Sequence, residues 1–502
     1  MLNLISCLGL LTMVFLAWCM SSLRNRVDWR LVALGVLLQF VLAAVFFNSQ
    51  NWKFDREFAS LPALVEAIDS GEVLLSDVPE SVDASSDSAA PFSSLYEQST
   101  AGNLSSDELA NSDWAKQNLP VRVPRFTNGV VFYVIESFFN LIQKSVEAGS
   151  SFVFETHPGP DDTPPTHPKA ILTTFAFGVL PTVVFFAALM SVLYHIGLMQ
   201  KLVRAMAWVM QKTLRTSAAE SLAAAANVLI GHTEAPLVVK PYVPTMTRSE
   251  LNALMVGGFA TISGSLMAIF AGLGVSAGHL LTASIISAPA ALVIAKILQP
   301  EVDEPVALEV AEAKVENEAS NVIEAAANGA TDGMKLAINI AAMLIAFLAL
   351  IMFVDICLQG LGGLLGIDLS LSLIFGFAFF PLAWIMGITT EDCWIAGDLL
   401  GKKLIVNEFL AYIELSAVPN SATLDPSSTV RGISERTRTI LTYALCGFSN
   451  FGAIGIQLGG IGPLAPERKS DLAQLGLRAM LGGALAASMT ACIAGIFYGI
   501  LS

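Results

Sequence analysis

Long apolar blocks separated by short polar joints dominate the chain. The clearest blocks are Leu4–Met20, Leu31–Phe47, Ile171–Ile196, Leu251–Val275, Leu280–Leu298, Leu336–Leu358, Thr439–Leu458 and Leu475–Leu501. Each approaches the ~20 residues a helix needs to cross a ~30 Å hydrocarbon core. None shows the short period-two segments of a membrane barrel. The pattern predicts an all-α polytopic membrane protein with about eight transmembrane helices. Composition agrees: 54% of the 502 residues are hydrophobic and 14% charged, against about 25% charged in soluble domains. The first block has no basic leader and no small-residue cleavage site, and Arg24, Arg26 and Arg30 follow it. It therefore reads as a retained helix and not as a removable signal.

The polar stretches set the domain organisation. After two N-terminal helices (1–48) comes a loop at 49–125, whose residues 51–120 hold 13 acidic and 3 basic side chains. Rich in Ser, Asp and Ala, it reads as solvated and disordered. Residues 126–170 read as an interfacial helix and an insertion, and the acidic, Ala-rich 301–333 as a further interfacial helix. A net charge of −15 without a basic patch argues against nucleic acid as a partner. Cys7, Cys19, Cys357, Cys393, Cys446 and Cys492 form no CxxC pair and read as small buried hydrophobes. In "ETHPGPDDTPPTHP", His157, His167, Asp161 and Asp162 lack the fixed spacing of a metal site. His195 and His279 read as structural. Lys and Arg favour cytoplasmic loops. Lys201, Arg204, Lys212, Arg215, Lys240, Arg248, Arg468, Lys469 and Arg478 agree with Arg24–Arg30 if the N-terminus and the 49–125 loop are periplasmic. "RGISERTR" conflicts with that orientation.

Two segments are too short and too polar to span. "SLAAAANVLIGHTEAPLVV" carries Thr233-Glu234, and "DLLGKKLIVNEFLAY" carries Asn407-Glu408. Each follows a long apolar helix, and each precedes another with a Gly-Phe core, Gly258-Phe259-Ala260-Thr261 and Gly447-Phe448-Ser449-Asn450. The likeness predicts two repeats, 171–300 with a hairpin near 216–240 and 334–502 with a hairpin near 390–415. On the topology above they enter the membrane in opposite senses. Such inverted repeats with interrupted segments at matching positions mark the binding site of secondary transporters. A carboxylate in the membrane is a functional candidate, so Glu234 and Glu408 are expected to face a shared midplane cavity. Three function classes remain open on these residues: a transporter, an intramembrane enzyme using the two glutamates as acid and base, and a receptor that binds without accumulating.

The motifs "GHTEAPLVVKPYVPTMTRSEL", "GGFATISGSLMA", "HLLTASIISAPAALVIAK", "NEFLAY" and "YALCGFSNFGAIGIQLGG…LAPERKSDLAQLGLRAMLGG" resemble, in order and spacing, the concentrative nucleoside transporters. The resemblance covers about residues 125–502 and the first two helices. It implies a sodium- or proton-coupled nucleoside symporter in the lipid bilayer of the bacterial inner membrane. It also implies a homotrimer with two re-entrant helical hairpins, two discontinuous helices and an elevator-like movement. By match, His232, Thr233 and Glu234 at the first hairpin tip and Leu266 would contact the nucleobase. Glu408 would bind ribose hydroxyls, unless it pairs with Lys402 or Lys403. Phe448 would pack on the base and Asn450 would bond the ribose. Two positions depart: His232 stands where the family has glutamine, and Ala453 where it often has a sugar-bonding serine. A sodium site would use the Asn227 and Thr261 side chains and the Ile230 and Ile262 carbonyls, all neutral oxygens. Proton coupling or a modified nucleoside-like cargo remains the alternative.

Overall fold

In a computed structural model the described residues are 2–49, 54–58, 64, 121–125, 130–154, 176–177, 180–232, 235–303, 319–365, 369–421 and 431–498. Two compact units divide them, one of residues 1–43 and 142–498 and one of 44–141 with the last four residues. The chain opens with α1 (Leu2–Cys19) and α2 (Trp29–Ser49). In the smaller unit, β1 (Phe54–Phe58) pairs antiparallel with β2 (Val121–Arg125), Phe54 opposite Arg125 and Phe58 opposite Val121. The ends of the acidic loop, expected to be disordered throughout, are thus stapled together, and most of the loop lies outside the described residues. Helix α3 (Val130–Phe154) follows.

In the larger unit α4 (Leu180–His195) bends 78° into the amphipathic α5 (Leu198–Leu214). Next come α6 (Ala218–Leu229), the single turn α7 (Ala235–Val238), α8 (Arg248–Ala260), α9 (Gly264–Gly272) and α10 (Ala277–Leu298). The acidic segment does not end at 333: its residues from 322 open the 44-residue α11 (Val322–Leu365). Then come α12 (Leu371–Ile385), α13 (Cys393–Ile405), α14 (Glu408–Ala417), α15 (Glu435–Leu445), α16 (Phe451–Ile461) and α17 (Lys469–Phe497). Gly329 and Gly333, one turn apart on α11, lie against α4. A Cβ at Gly329 would meet the Ala187 carbonyl oxygen at 2.6 Å and one at Gly333 the Val184 Cα at 2.7 Å. Small residues spaced by four let membrane helices approach backbone to backbone.

Two of the apolar blocks are not continuous helices. Leu251–Val275 stops at Ala260 and restarts at Gly264, where Ser263 caps α9 by accepting from the Leu266 N–H at 3.4 Å. Thr439–Leu458 stops at Leu445 and restarts at Phe451, where Asn450 Oδ1 accepts from the Ala453 N–H at 2.8 Å. These are N-caps placed inside apolar sequence. The arms of the two hairpins are 12 and 4 residues and 13 and 10 residues long. At about 1.5 Å per residue none reaches across ~30 Å. Among the described residues five segments cross the length and composition threshold of a span, six counting the bent pair. This is two fewer than the eight apolar blocks: Thr439–Leu458 is interrupted between α15 and α16, and Leu336–Leu358 enters only through the shorter apolar stretch Leu348–Leu364 of α11.

Buried charge ties the hairpin bases. Ser217 and Glu220 form a capping box at the start of α6, and Glu220 also meets Lys296 of α10 at 2.8 Å. Lys296 donates as well to Glu301 at 3.0 Å and to Ser249 of α8 at 3.0 Å. In the second hairpin Lys402 bridges Asp398 at 2.8 Å and Glu414 at 2.6 Å, one on each arm. Two of the three arginines of "RGISERTR", which conflict with a simple charge rule, are used internally. Arg436 donates to Gly387 O, Asn3 and Ser6, and Arg438 to the carbonyls of Leu415 and Val418. Helix α17 packs on α1, α8, α10 and α15 and so joins both ends of the chain.

Lys296→Met strands the buried Glu220 carboxylate, and loss of one partner of a buried pair costs about 3–5 kcal/mol. Thermal unfolding in detergent is expected to show a clear fall for Lys296→Met and a smaller one for Lys296→Arg.

Candidate functional site

The two breaks lie against each other. Ser449 Oγ donates to the Phe259 carbonyl at 2.7 Å. Gly447, with φ +119°, sits where a Cβ would meet that same carbonyl oxygen at 2.6 Å. Both hairpin tips reach this crossing. At the first tip, Gly231 takes φ +92°, and a Cβ there would meet Ser263 Cβ at 2.6 Å, on the residue that caps α9. Close approach and a left-handed backbone both require glycine here. The next side chain, His232, is thereby brought over Gly258, with its ring 4.1 Å from that of Phe448 and tilted by 53°. At the second tip, Asn407 caps α14 by accepting from the Leu410 N–H at 2.9 Å. This places Glu408 on the first turn, where Asn450 Nδ2 donates to its Oε2 at 3.0 Å.

Of the expected residues, the structure therefore brings together His232 with Phe448, and Glu408 with Asn450 and Ala453. Leu266 is buried on the first turn of α9. Asn227, on α6, and Thr261, at the end of α8, meet at Gly257 in the last turn of α8: Thr261 Oγ donates to the Gly257 carbonyl at 3.0 Å, and a Cβ on Gly257 would meet Asn227 Nδ2 at 3.0 Å. Ile230 closes α6 and Ile262 lies in the first break, both buried. Thr233 and Glu234 lie outside the described residues. Neither lysine pairs with Glu408: Lys402 holds Asp398 and Glu414, and Lys403 donates to the backbone carbonyls of Ala444 and Cys446. The matched Gly-Phe motifs are also out of structural register. Phe259 lies inside α8, ahead of its break, whereas Phe448 lies within the break after α15.

Buried polar groups are ordinarily hydrogen-bonded. Around this crossing several are not. Among the described residues, both ring nitrogens of His232, both amide atoms of Asn227 and Oε1 of Gln457 are buried without a partner. Gln457 was not singled out in the sequence, although one amide in "FGAIGIQLGGI" is a signal of the intramembrane polar kind. Its Nε2 donates to Met255 O at 3.1 Å, which puts it beside His232 across Gly258. Unpaired donors and acceptors, an aromatic face and a carboxylate make a place for a small polar ligand with a flat apolar part. The Asn227 oxygen and the lone pairs of Thr261 Oγ, whose proton is already engaged, suit a hard monovalent cation. A cavity of about 750 Å³ lined by Phe186, Tyr194, Ile230, Lys240, Ser265 and Asp332 opens elsewhere on the hairpin. Of the expected residues only Ile230 reaches it, so it is not where the tips and breaks meet.

Three family models match in succession. One described as Na+ dependent nucleoside transporter N-terminus covers residues 8–54, one described as nucleoside recognition covers 176–277, and one described as Na+ dependent nucleoside transporter C-terminus covers 279–495. An uncharacterized transporter of Haemophilus influenzae is 47% identical over 338 residues, 67% of this chain and 79% of that protein. Mouse sodium/nucleoside cotransporter 1 is 43% identical over 358 residues, 70% of this chain but only 53% of the mouse protein, so the chain spans about half the length of that relative. Among solved structures, CNTnw in an inward-facing substrate-bound state is 33% identical with TM-score 0.74, over 99% of this chain and 98% of that one. A variant of CNTnw in an outward-facing state is 34% identical with the same TM-score. These relatives are transporters, and the reading of Glu234 and Glu408 as an acid–base pair of an intramembrane enzyme falls away.

A left-handed non-glycine residue costs roughly 1–2 kcal/mol, so Gly231→Ala is expected to destabilise by at least that and to add the collision with Ser263. In a double-mutant cycle measured by unfolding in detergent, Ser263→Gly is expected to recover part of the loss. Additive costs would show that the tip and the break do not touch.

Proposed function

The chain belongs to the family of Na+ dependent, concentrative nucleoside transporters, and we propose that it is a symporter that imports nucleosides driven by a Na+ gradient. The observation that carries this reading is the set of unpaired polar groups where both hairpin tips meet both helix breaks. The nucleobase lies on Phe448, with His232, Thr233, Glu234 and Leu266 around it. Glu408, held by Asn450, accepts from the vicinal ribose hydroxyls, since a carboxylate only accepts and can take two donors. Na+ binds Asn227, Thr261 and the carbonyls of Ile230 and Ile262.

Coupling then has a physical basis. Asn227 stands on the arm that ends at Gly231 and His232, and Thr261 stands at the end of α8. A cation between them ties the arm to the broken helix and sets the tip in its base-contacting position. The nucleoside gains affinity because part of the ordering cost has been met by the ion. By linkage the nucleoside raises the affinity for Na+ equally. The same reading takes the working protein as a homotrimer in the bacterial inner membrane, with the N-terminus and the 49–125 loop periplasmic and an elevator-type movement between outward and inward states. His232 and Ala453 favour a variation on it. An imidazole in place of an amide and a methyl in place of a hydroxyl change which base and which sugar positions are satisfied. A modified nucleoside-like cargo would fit them.

The test is uptake of labelled uridine and adenosine into proteoliposomes with an inward Na+ gradient, with K+ in its place as control. Na+-dependent accumulation of at least one is expected. Glu408→Gln is expected to lose about 1–3 kcal/mol of binding, roughly one to two decades in affinity. His232→Gln is expected to change the uridine-to-adenosine ratio. Accumulation driven by a proton gradient instead would discard the Na+ assignment. No accumulation by folded protein under either gradient would sink the nucleoside reading.

A further inference from the structure

Each break leaves a helix C-terminus inside apolar surroundings, where carbonyls without partners attract positive charge. Each such end faces the first arm of a hairpin. At the end of α8 the arm is α6, and the side chain in contact is Asn227, third-last residue of its helix. At the end of α15 the arm is α13, and the side chain in contact is Lys403, also third-last of its helix. The two positions correspond in place but differ in chemistry. Asn227 is neutral, and its amide has no protein partner among the described residues. Lys403 is 3% exposed, and its Nζ donates to the Ala444 carbonyl at 2.7 Å and the Cys446 carbonyl at 3.4 Å. No carboxylate oxygen lies within ion-pairing distance of it among the described residues, and Glu408 acts on it only at longer range. Its ammonium thus completes the end of α15 as a coordinated cation would.

We propose that Lys403 is a tethered cation occupying, in the second repeat, the place where the first repeat takes up its mobile coupling cation. One half-helix end is filled permanently by an ammonium on a side chain, and the other is filled only when an ion arrives. The transporter therefore moves one cation with each nucleoside, and Lys403 is the residue that sets this number. Its charge stands behind Cys446, two residues before Phe448, and lies within electrostatic range of Glu408. It thus keeps the second break and the second tip in their binding arrangement throughout the cycle, while the first tip waits for its ion. This inference rests on the Na+ symport reading above.

The experiment uses the full chain in proteoliposomes. It measures the number of Na+ ions moved per labelled nucleoside, and the power of Na+ concentration on which nucleoside binding depends. Wild type is expected to move one ion and follow the first power. Lys403→Asn recreates at α15 the chemistry found at α8, and binding is expected to follow the second power, recovering only at raised Na+. Lys403→Arg keeps the charge and is expected to remain first power. Two ions per nucleoside in wild type overturns the proposal. So does a folded Lys403→Asn that stays first power, or that binds no nucleoside at any Na+ concentration. Should Lys403→Asn not fold, the wild-type count decides alone. Wild-type transport that ignores Na+ is a different failure, since it removes the symport reading and this inference with it.

Discussion

A helix that ends inside a membrane cannot give its free backbone groups to water. Every carbonyl and N–H released by the breaks at 261–263 and 446–450 must find a partner in the protein or in a ligand. The N-terminal ends are handled by side chains one residue outside the helix, Ser263, Asn407 and Asn450. The C-terminal ends are handled differently: α15 by the ammonium of Lys403, and α8 in part by the Thr261 hydroxyl on Gly257 O. The caps do double service. Asn450 accepts from Ala453 N–H with its oxygen and gives its nitrogen to Glu408, so the same side chain that starts α16 also aims the carboxylate.

This constraint explains what could be read from the sequence and what could not. Membrane class and apolar blocks follow from composition and length alone. The hairpin tips were visible because a carboxylate beside a cap residue interrupts an apolar run. The breaks were hidden by apolar residues on both sides, since "ATISGS" and "CGFSN" change hydropathy little while changing backbone direction. The Gly-Phe motifs invited a pairing that the structure places one break-length out of register, because identity of residue type carries no information on where a helix stops. From the sequence Lys403 reads as a charge near Glu408 and a candidate partner for it. Nothing local says that its reach ends on carbonyls 41 and 43 positions further along. Charge alone does not mark a helix boundary near 333, since α11 runs unbroken from Val322 into its apolar part.

Most of the buried charges are held in ion-paired sets. Glu220, Lys296, Glu301 and Ser249 join the base of the first hairpin to α8 and α10. Asp398, Lys402 and Glu414 join the arms of the second. Such clusters add little net stability compared with apolar packing but are costly to break singly. They fix the bases of the hairpins, and leave adjustment to the tips, where Gly231 and Asn407 hold the backbone by geometry and one cap bond.

The contrast between base and tip bears on how binding energy is used. The ring nitrogens of His232, the amide of Asn227 and Oε1 of Gln457 are buried without a protein partner among the described residues, which is costly for each group. The surrounding packing, from α17 against four helices to the glycine contact of α11 on α4, holds that arrangement in place. A ligand that supplies the missing partners removes a penalty already incurred, and gains more from each hydrogen bond than it would at a solvated surface. Selectivity follows from the same source. On the proposed reading, a molecule of the right shape but lacking the right donor leaves the penalty standing, so the same buried groups would reject the wrong occupant.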